Sequence, residues 1–292
     1  MSKRIVGLGL CVVDHVYVVE RLNLSDVRTR FTKRMVLSGG TIGTALAQVA
    51  NLGCDAHVLS LLGDDADGRF VRRSLGRFGI KTRRLLLSAE FETTVAVVLV
   101  ERSSGERRFI VPDRRTLERA APDFDLTPIE RGITLLIDGH FPKQALRAVR
   151  RARKLGGVVI GDFHRPTPAV CRLLPYVDFP IVPLEFAELF CPGNPRRAIR
   201  ELADQFGGTP VVTLGAEGGL YLDGGRVRRF AARSVRAVDT TGAGDVFHGA
   251  FAVGLSRGWT IPESIDLAVR AAALCCTALG GTGRLMTRAE SL

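Results

Sequence analysis

The chain has 292 residues, of which 46% are hydrophobic and 24% are charged, a composition that excludes a disordered, fibrous or disulfide-dense protein. Its formal net charge is +11, but the arginines are dispersed and aromatic residues make up only 7%, which favours small anionic ligands over nucleic acid. No apolar run reaches the roughly 18 residues that span a bilayer. We therefore expect a cytoplasmic protein with no membrane or nucleic-acid partner.

Short β-branched runs alternate with amphipathic segments along the chain, and this alternation predicts βα units around a mostly parallel sheet. The predicted strands span residues 5–10, 57–61, 133–137, 158–161, 179–182 and 210–214. The predicted helices span residues 41–52, 67–78, 144–155, 195–206, 245–256 and 262–279. We expect residues 1–292 to form a single α/β domain, with a doubly wound sheet sandwiched between helices.

Two segments, at about 16–36 and 93–111, break this alternation. Both have the pattern of antiparallel β structure, and the second is predicted to be a hairpin that turns at 103–106. Open α/β sheets bind ligands beyond the carboxyl ends of their strands. We therefore expect these two segments to form a small β lid over such a site.

The segment that carries most chemical information is 238–251, with the sequence VDTTGAGDVFHGAF. The small residues Gly242, Ala243 and Gly244 allow backbone N–H groups to converge, and the helix that follows adds its positive N-terminal end. This arrangement predicts an anion hole, with Asp245 placed as a catalytic base. The alternative is that Asp245 only caps the helix and the glycines only make a tight turn.

The string Asp-Thr-x-Gly-Ala-Gly-Asp, followed by Phe and a helix of small residues, resembles the C-terminal signature of the PfkB family of carbohydrate kinases. The resemblance implies a ribokinase-like fold and transfer of the γ-phosphate of ATP to a hydroxyl of a small sugar or sugar derivative. Asp245 would be the general base, and the backbone of 242–245 the anion hole. In potassium-activated members the equivalents of Asp239 and Thr241 help to hold the ion, so K+ is an implied cofactor beside Mg2+.

A second family element, a Gly-Gly segment that runs into a helix, is similar to residues 38–53. Gly39 and Gly40 let the backbone approach a sugar. Thr44 stands where the family usually has Asn, and it still offers a hydroxyl. Asp14 lies where the family has its substrate-binding Asp, which accepts hydrogen bonds from two sugar hydroxyls; taken alone, it could equally cap a loop.

The resemblance also places the nucleotide. Thr213 and Gly215 would lie near the phosphates and ribose, and Gly218 near the triphosphate. Ala272 and Gly281 belong to the segments that match the family's cover over the adenine. Without the resemblance, these segments would be interpreted as a hairpin and the C-terminal cap of a helix.

One family element is altered. Many members have Asn-x-x-Glu to organise the hydration shell of magnesium, whereas residues 182–188 read VPLEFAE. Glu185 or Glu188 is then the candidate carboxylate, the alternative being an ordinary surface charge. Mg2+ itself would still be needed to neutralise the ATP phosphates.

Other classes are excluded or left open. The string GxxxxGK[ST] of P-loop kinases is absent, and the glycines at 7 and 9 lack the third glycine of a dinucleotide fingerprint. A nucleoside kinase of the same fold and a catalytically idle ligand-binding relative remain as alternatives. Arg108 or Arg107, His140 and residues 162–165 are plausible substrate contacts. Lid strands in the family often pair between subunits, so a homodimer is expected.

Overall fold

The computed structural model describes residues 4–22, 28–104, 106–113 and 121–291. The strands are β1 (Arg4–Leu8), β2 (Val12–Val19), β3 (Phe31–Gly39), β4 (Asp55–Leu59), β5 (Leu61–Gly63), β6 (Leu86–Ser88), β7 (Val95–Glu101), β8 (Arg107–Ile110), β9 (Thr134–Ile137), β10 (Val158–Asp162), β11 (Phe179–Pro183), β12 (Val211–Thr213), β13 (Gly219–Asp223) and β14 (Arg226–Phe230). The α-helices are α1 (Thr41–Asn51), α2 (Ala66–Arg77), α3 (Pro142–Lys154), α4 (Pro168–Leu173), α5 (Leu184–Phe190), α6 (Pro195–Phe206), α7 (Ala243–Ser256) and α8 (Ile261–Cys275).

The main sheet has eight strands in the order β14-β13-β12-β11-β10-β9-β1-β4. The six strands from β12 to β4 are parallel to their neighbours, and β13 and β14 continue the sheet antiparallel. The expected α/β fold with a mostly parallel sheet is therefore confirmed. Because parallel strands end at the same edge, the residues that follow β1, β9 and β10 are brought together there.

Helices cover both faces of this sheet, as the residues of β1 illustrate. Ile5 packs into a core cluster with residues of α1, α7 and α8, whereas Val6 and Leu8 pack into a second cluster with residues of α3 and α6. Successive side chains of a strand point to opposite faces, so one short apolar strand contributes to two cores. The sheet is thus sandwiched between two layers of helices.

A second sheet has the strand order β3-β2-β7-β8, and it forms the lid. The pairs β2–β3 and β7–β8 are antiparallel, but the central pair β2–β7 is parallel, with Asp14 opposite Ala96. The expectation of purely antiparallel structure was wrong at this pair. A parallel pair requires a long crossover connection, and here the chain passes through β3, α1, β4, β5, α2 and β6 before it returns as β7.

The other differences concern element ends. β2 begins at Val12, four residues before the expected lid segment, and residues 23–27 and 105 of the two lid segments lie outside the described residues. α8 ends at Cys275, short of residue 279, because the chain turns so that the N–H of Gly280 donates to Asp239 Oδ2 at 2.8 Å. The helices α4 and α5 were not predicted. Within the described ranges, no helix is both long and apolar enough to cross a membrane.

Candidate active site

A cavity of about 730 Å3 lies between the lid sheet and the carboxyl edge of the main sheet. Its wall on the main-sheet side includes Leu10 and Asp138, which follow β1 and β9. The lid contributes residues from three of its strands or their flanks, namely Asp14, Ala96, Thr94, Phe109 and Val111. The turn before α7 and its first turn contribute Thr241, Gly242 and Asp245. Residues far apart in sequence thus meet in one cavity.

Asp14 is the third residue of β2, so it belongs to the lid sheet instead of a loop after β1. Its side chain is buried and lines the cavity. Gly39 lies beside it at the end of β3, and a Cβ at position 39 would be 1.8 Å from Asp14 Oδ2. The first glycine of the Gly-Gly pair therefore leaves the space that the Asp14 carboxylate occupies. Gly40 lines the same cavity and immediately precedes α1.

The start of α7 has the geometry expected of an anion hole. Gly242 precedes the helix with φ +75°, in the left-handed region that favours glycine, and a Cβ there would be 2.4 Å from the Cα of Gly281. Ala243, Gly244 and Asp245 form the first turn, whose N–H groups have no acceptor within the helix. The N–H of Ala243 donates to the carbonyl of Thr240 at 3.3 Å, just before the helix. The N-cap residue is Gly242, which has no side chain to cap the helix, and Asp245 is the third residue of the helix and the acidic residue of its first turn. The wall opposite Gly242 includes Thr44, a buried residue of α1.

Asp239 holds the turn that leads to this helix. Its Oδ1 accepts hydrogen bonds from the backbone N–H and the hydroxyl of Thr241, at 2.8 and 2.7 Å, and its Oδ2 accepts from the N–H of Gly280. The side chain is 1% exposed. Both carboxylate oxygens are therefore used to join residues 239–241 to the segment containing Gly281, which lines the cavity.

Asp245 lies in a strongly acidic environment. The pKa of its carboxyl is raised well above the usual value, first by burial and then by the negative charges of Asp162, Asp14 and Asp138, while Arg107 acts in the opposite direction. A carboxylate with a raised pKa is a stronger proton acceptor than an ordinary aspartate. The site therefore contains a base suited to take a proton from a hydroxyl.

The neighbouring carboxyl groups are perturbed as well. Burial, followed by the charge of Asp239, raises the pKa of Asp14 to about 7. Burial also raises the pKa of Asp138, although its oxygens accept hydrogen bonds from the N–H groups of Leu10 and His140 at 2.7 and 2.9 Å. Groups of this kind, gathered in a cavity, are typical of a functional site.

Of the two lid arginines, it is Arg107 that affects the site. Phe109 and Val111 line the cavity, and side chains alternate along a strand, so Arg107 shares their face of β8. Arg107 is half-buried, and its charge lowers the pKa of Asp245. Arg108 is exposed and does not line the cavity.

The residues expected near the nucleotide lie farther along the carboxyl edge of the main sheet. Thr213 ends β12, Gly215 begins the short turn after it, and Gly218 precedes β13. None of these three lines the cavity, and neither does Ala272 of α8. Only Gly281 of the expected nucleotide set reaches it.

The two glutamates expected near magnesium are exposed and engaged elsewhere. Glu185 accepts a hydrogen bond from Arg165 at 2.7 Å, and Glu188 accepts one from the N–H of Gly193 at 2.9 Å. Neither lines the cavity, whereas Arg165 does. The structure therefore brings neither carboxylate to the wall of the cavity.

Sequence reasoning missed Asp138 as a member of this site, and it included Asp162 only as one plausible substrate contact among several. Each is an acidic residue at the carboxyl end of a buried strand, β9 and β10 respectively. In an open α/β sheet, this position alone is a signal of a ligand-binding residue. Asp162, His164 and Asp245 come close enough for three of their ligand atoms to lie within 4.8 Å of one another.

Comparisons with known proteins agree with this geometry. The family model of the pfkB family carbohydrate kinases matches residues 2–288. The ribokinase of Haemophilus influenzae is 25% identical over 100% of this chain and 98% of its own length. The fructokinase of Klebsiella pneumoniae is 31% identical over 84% of this chain and 86% of its own length. The chain belongs to the pfkB family of carbohydrate kinases.

Solved structures match the fold as a whole. The structure of Arabidopsis thaliana ribokinase, complexed with ribose and ATP, superposes with a TM-score of 0.83 over 100% of this chain and 98% of that chain, at 23% identity. An Escherichia coli structure in complex with ATP and Mg2+ superposes with a TM-score of 0.81 over 100% and 98%, at 21% identity. The chain is therefore an ATP-dependent sugar kinase by family and has the ribokinase fold.

Proposed function

We propose that Asp245 is the general base that deprotonates the acceptor hydroxyl, and that the backbone of Gly242, Ala243 and Gly244 forms the anion hole for the transferred phosphoryl group. One observation carries this assignment: Asp245 lines the cavity at the first turn of α7 and has a raised pKa. The amides of that turn and the base are thus adjacent on one helix end. Phosphoryl transfer requires both, because charge has to be stabilised on the phosphoryl oxygens while the nucleophile loses its proton.

The acceptor would be a small sugar or sugar derivative held by Asp14 and by the backbone of Gly39 and Gly40. Carboxylate oxygens accept hydrogen bonds from paired hydroxyls, and the missing side chains at 39 and 40 leave the main chain accessible. Thr44 could add a hydroxyl contact, since it is buried and lines the cavity. The lid would exclude water during transfer, which limits hydrolysis of ATP.

ATP with Mg2+ is the proposed phosphoryl donor, as in the Arabidopsis and Escherichia coli proteins of this fold. Thr213, Gly215 and Gly218 lie along the same sheet edge, where they would contact a nucleotide that extends away from the cavity. Ala272 and Gly281 would cover its base. Magnesium would neutralise the phosphates while Glu185 or Glu188 holds its water ligands. A donor of this kind also favours the cytoplasm as the place of action.

A monovalent cation, K+, is a further proposed cofactor. Asp239 and Thr241 are the residues implied by the family, and they form the turn directly before the anion hole. An ion bound there would act by holding this turn. Activity measured in potassium and in tetramethylammonium salts of equal ionic strength tests the proposal.

The assignment of Asp245 is tested by the variant Asp245→Asn, which keeps the size of the side chain but removes the base. We expect kcat to fall by about 100-fold to 10,000-fold, with the protein still folded. Asp204→Asn, at an exposed position of α6, is the matched control and should keep full activity. Full kinase activity of Asp245→Asn would overturn the assignment.

The class of acceptor is tested with a panel of pentoses, ketohexoses, amino sugars and nucleosides in a coupled assay of ADP production. A sugar acceptor is expected to give the highest kcat/KM. A preference for nucleosides would replace the proposed acceptor with that of a nucleoside kinase. ATP consumption that no member of the panel stimulates would contradict the proposed sugar site.

We further propose that the chain works as one α/β domain with its lid inserted, and that two copies associate through the lid sheets. The lid exposes several large apolar side chains, of which Phe31, Ile110 and Val111 are each more than half exposed. Exposed apolar patches of this kind mark interaction surfaces. Light scattering after size exclusion should give a dimer, and Ile110→Lys should give a monomer. A monomer at all concentrations would remove the proposal.

A further inference from the structure

His248 is a buried titratable residue that the proposed mechanism does not use. It lies three residues after Asp245 on α7, close to one helical turn farther on, and is 5% exposed. Its Nδ1 lies 2.6 Å from the carbonyl oxygen of Gly244 and 3.1 Å from Asp162 Oδ2. Its Nε2 lies 3.2 Å from the carbonyl oxygen of Ile181. The ring therefore joins the start of α7 to the end of β10 and the middle of β11.

Both ring nitrogens of His248 face oxygen atoms that can only accept hydrogen bonds. A neutral imidazole carries a proton on one nitrogen, so its other nitrogen would direct a lone pair at an acceptor in a buried setting. The imidazolium form carries a proton on each nitrogen and satisfies both contacts. The geometry thus favours a positively charged His248.

Asp162 supplies the second observation. Its side chain is 3% exposed, and Oδ2 has no hydrogen-bond partner among the described residues. The short contact between Nδ1 and Gly244 takes the proton of that nitrogen, so the contact of 3.1 Å with Asp162 is ionic. A buried carboxylate oxygen without a hydrogen bond requires a nearby opposite charge, and His248 provides it for Oδ2 of Asp162.

We propose that His248 is a positioning residue for Asp245, a buried imidazolium that fixes the Gly244 peptide and offsets the negative charge of Asp162. This inference rests on the proposed role of Asp245 as the base. Through Gly244, the ring holds the peptide that immediately precedes Asp245 and forms part of the anion hole. Through the carbonyl of Ile181, it anchors that peptide to β11 of the main sheet.

The charge of His248 acts within a defined set of groups. Asp245 is surrounded by Asp14 from β2, Asp138 after β9, Asp162 from β10 and Arg107 from β8. Cys275 of α8 is also near enough for the charge of Asp245 to affect it, and His164 lies 3.7 Å from Asp162 Oδ1. Three carboxyl groups therefore oppose the ionisation of Asp245. Asp162 has the largest effect of the three, and it is the group whose charge the buried imidazolium offsets.

Two substitutions with opposite charge effects test the proposal. His248→Phe removes the positive charge, so the acid limb of the pH profile of kcat/KM for the sugar should move to higher pH. Asp162→Asn removes a negative charge that raises the pKa of Asp245, so the same limb should move to lower pH. We expect shifts of at least about half a pH unit each, and kcat at the pH optimum should fall about tenfold or more in His248→Phe.

His248→Gln separates the two roles, because an amide can donate to the Gly244 carbonyl but carries no charge. His248→Gln should have a higher kcat than His248→Phe, and its acid limb should lie at higher pH than that of the unsubstituted protein, as in His248→Phe. His57→Phe is the matched control, since His57 forms a similar pair with Asp55 at 3.0 Å but does not line the active-site cavity. Its pH profile should equal that of the unsubstituted protein.

The outcomes separate this inference from the proposed function. If Asp245→Asn is inactive while His248→Phe and Asp162→Asn both keep the original pH profile, Asp245 stands as the base and the role of His248 is refuted. If Asp245→Asn is active, the proposed function itself fails. If His248→Phe does not fold, the inference is tested with His248→Gln and Asp162→Asn instead. Acid limbs that move in the same direction in these two variants would overturn the inference.

Discussion

The backbone of Gly39 and the carboxylate of Asp14 occupy adjoining space, so that a Cβ at residue 39 would lie 1.8 Å from Asp14 Oδ2. Gly39→Ala should therefore push the carboxylate out of its position in the cavity. We expect kcat/KM for the sugar to fall about 10-fold to 100-fold, with a smaller effect on the KM for ATP. Gly76→Ala is the control, because a Cβ there meets nothing within 4 Å. Equal sugar kinetics in both variants would show that Asp14 does not depend on Gly39.

Arg107 and Arg108 form a matched pair on β8. Arg107 is half-buried and lowers the pKa of Asp245, whereas Arg108 is exposed; neither side chain lines the cavity. Arg107→Ala should move the acid limb of kcat/KM to higher pH, because loss of a nearby positive charge favours the protonated base. Arg108→Ala should leave the limb in place. A shift of the acid limb seen only in Arg108→Ala would contradict the assignment of this electrostatic role to Arg107.

The protonation of Asp14 should be visible in the pH dependence of stability. Its pKa is raised from 3.8 to about 7, so the folded state binds the proton more tightly than the unfolded state does. The resulting stabilisation is complete below about pH 4 and is lost as the pH rises to about 7. Asp14→Asn avoids this loss, and its stability relative to the original protein should grow between pH 4 and pH 8 by at most about 4 kcal/mol.

Urea unfolding of both proteins at intervals of one pH unit would measure this difference. The variant should bind sugar poorly at every pH, since it lacks the carboxylate. A stability difference that stays constant from pH 4 to pH 8 would mean that Asp14 titrates normally.

Gln48 fastens the segment near the C-terminus to α1. Its side-chain nitrogen donates to the carbonyl of Met286 at 2.9 Å, and the N–H of Met286 donates to its side-chain oxygen at 3.0 Å. Gln48→Leu would leave the N–H of Met286 buried without a partner, whereas the carbonyl of Met286 keeps a hydrogen bond from the side-chain nitrogen of Asn51 at 2.9 Å. The lost partner should lower the free energy of unfolding by about 2 kcal/mol. Gln205→Leu, at an exposed site, should change it by less than about 0.5 kcal/mol. Equal melting temperatures for the two variants would contradict this.

The sequence was informative where structure depends on local geometry. The helix 195–206 was predicted to the residue, because Asn194 accepts hydrogen bonds from the first-turn N–H groups and Pro195 begins the helix. The turn at 242–244 was also predictable, since a run of small residues before an apolar helix permits few alternatives. In both cases, neighbours in sequence make the decisive contacts.

Contacts between distant segments could not be predicted in the same way. The parallel pairing of Asp14 with Ala96 depends on a crossover through six other elements and on a strand edge that no local pattern marks. In the sequence, His248 is one residue of a largely apolar helix, with no local sign of its role. Its contact with Ile181 joins residues that are 67 positions apart. The raised pKa of Asp245 likewise arises from burial and then from carboxylates on three separate strands or strand ends, none of which is its neighbour in sequence.

The placement of Asp14 within β2 has a consequence for the timing of catalysis. The carboxylate that would bind the acceptor belongs to the lid sheet, whereas Asp245 belongs to a helix packed on the main sheet. The separation between bound hydroxyl and base is therefore set by the angle between the two sheets. If the lid sheet turns away from the main sheet, the acceptor hydroxyl leaves the base, so an enzyme of this design would hold its sugar in an open state without hydrolysing ATP.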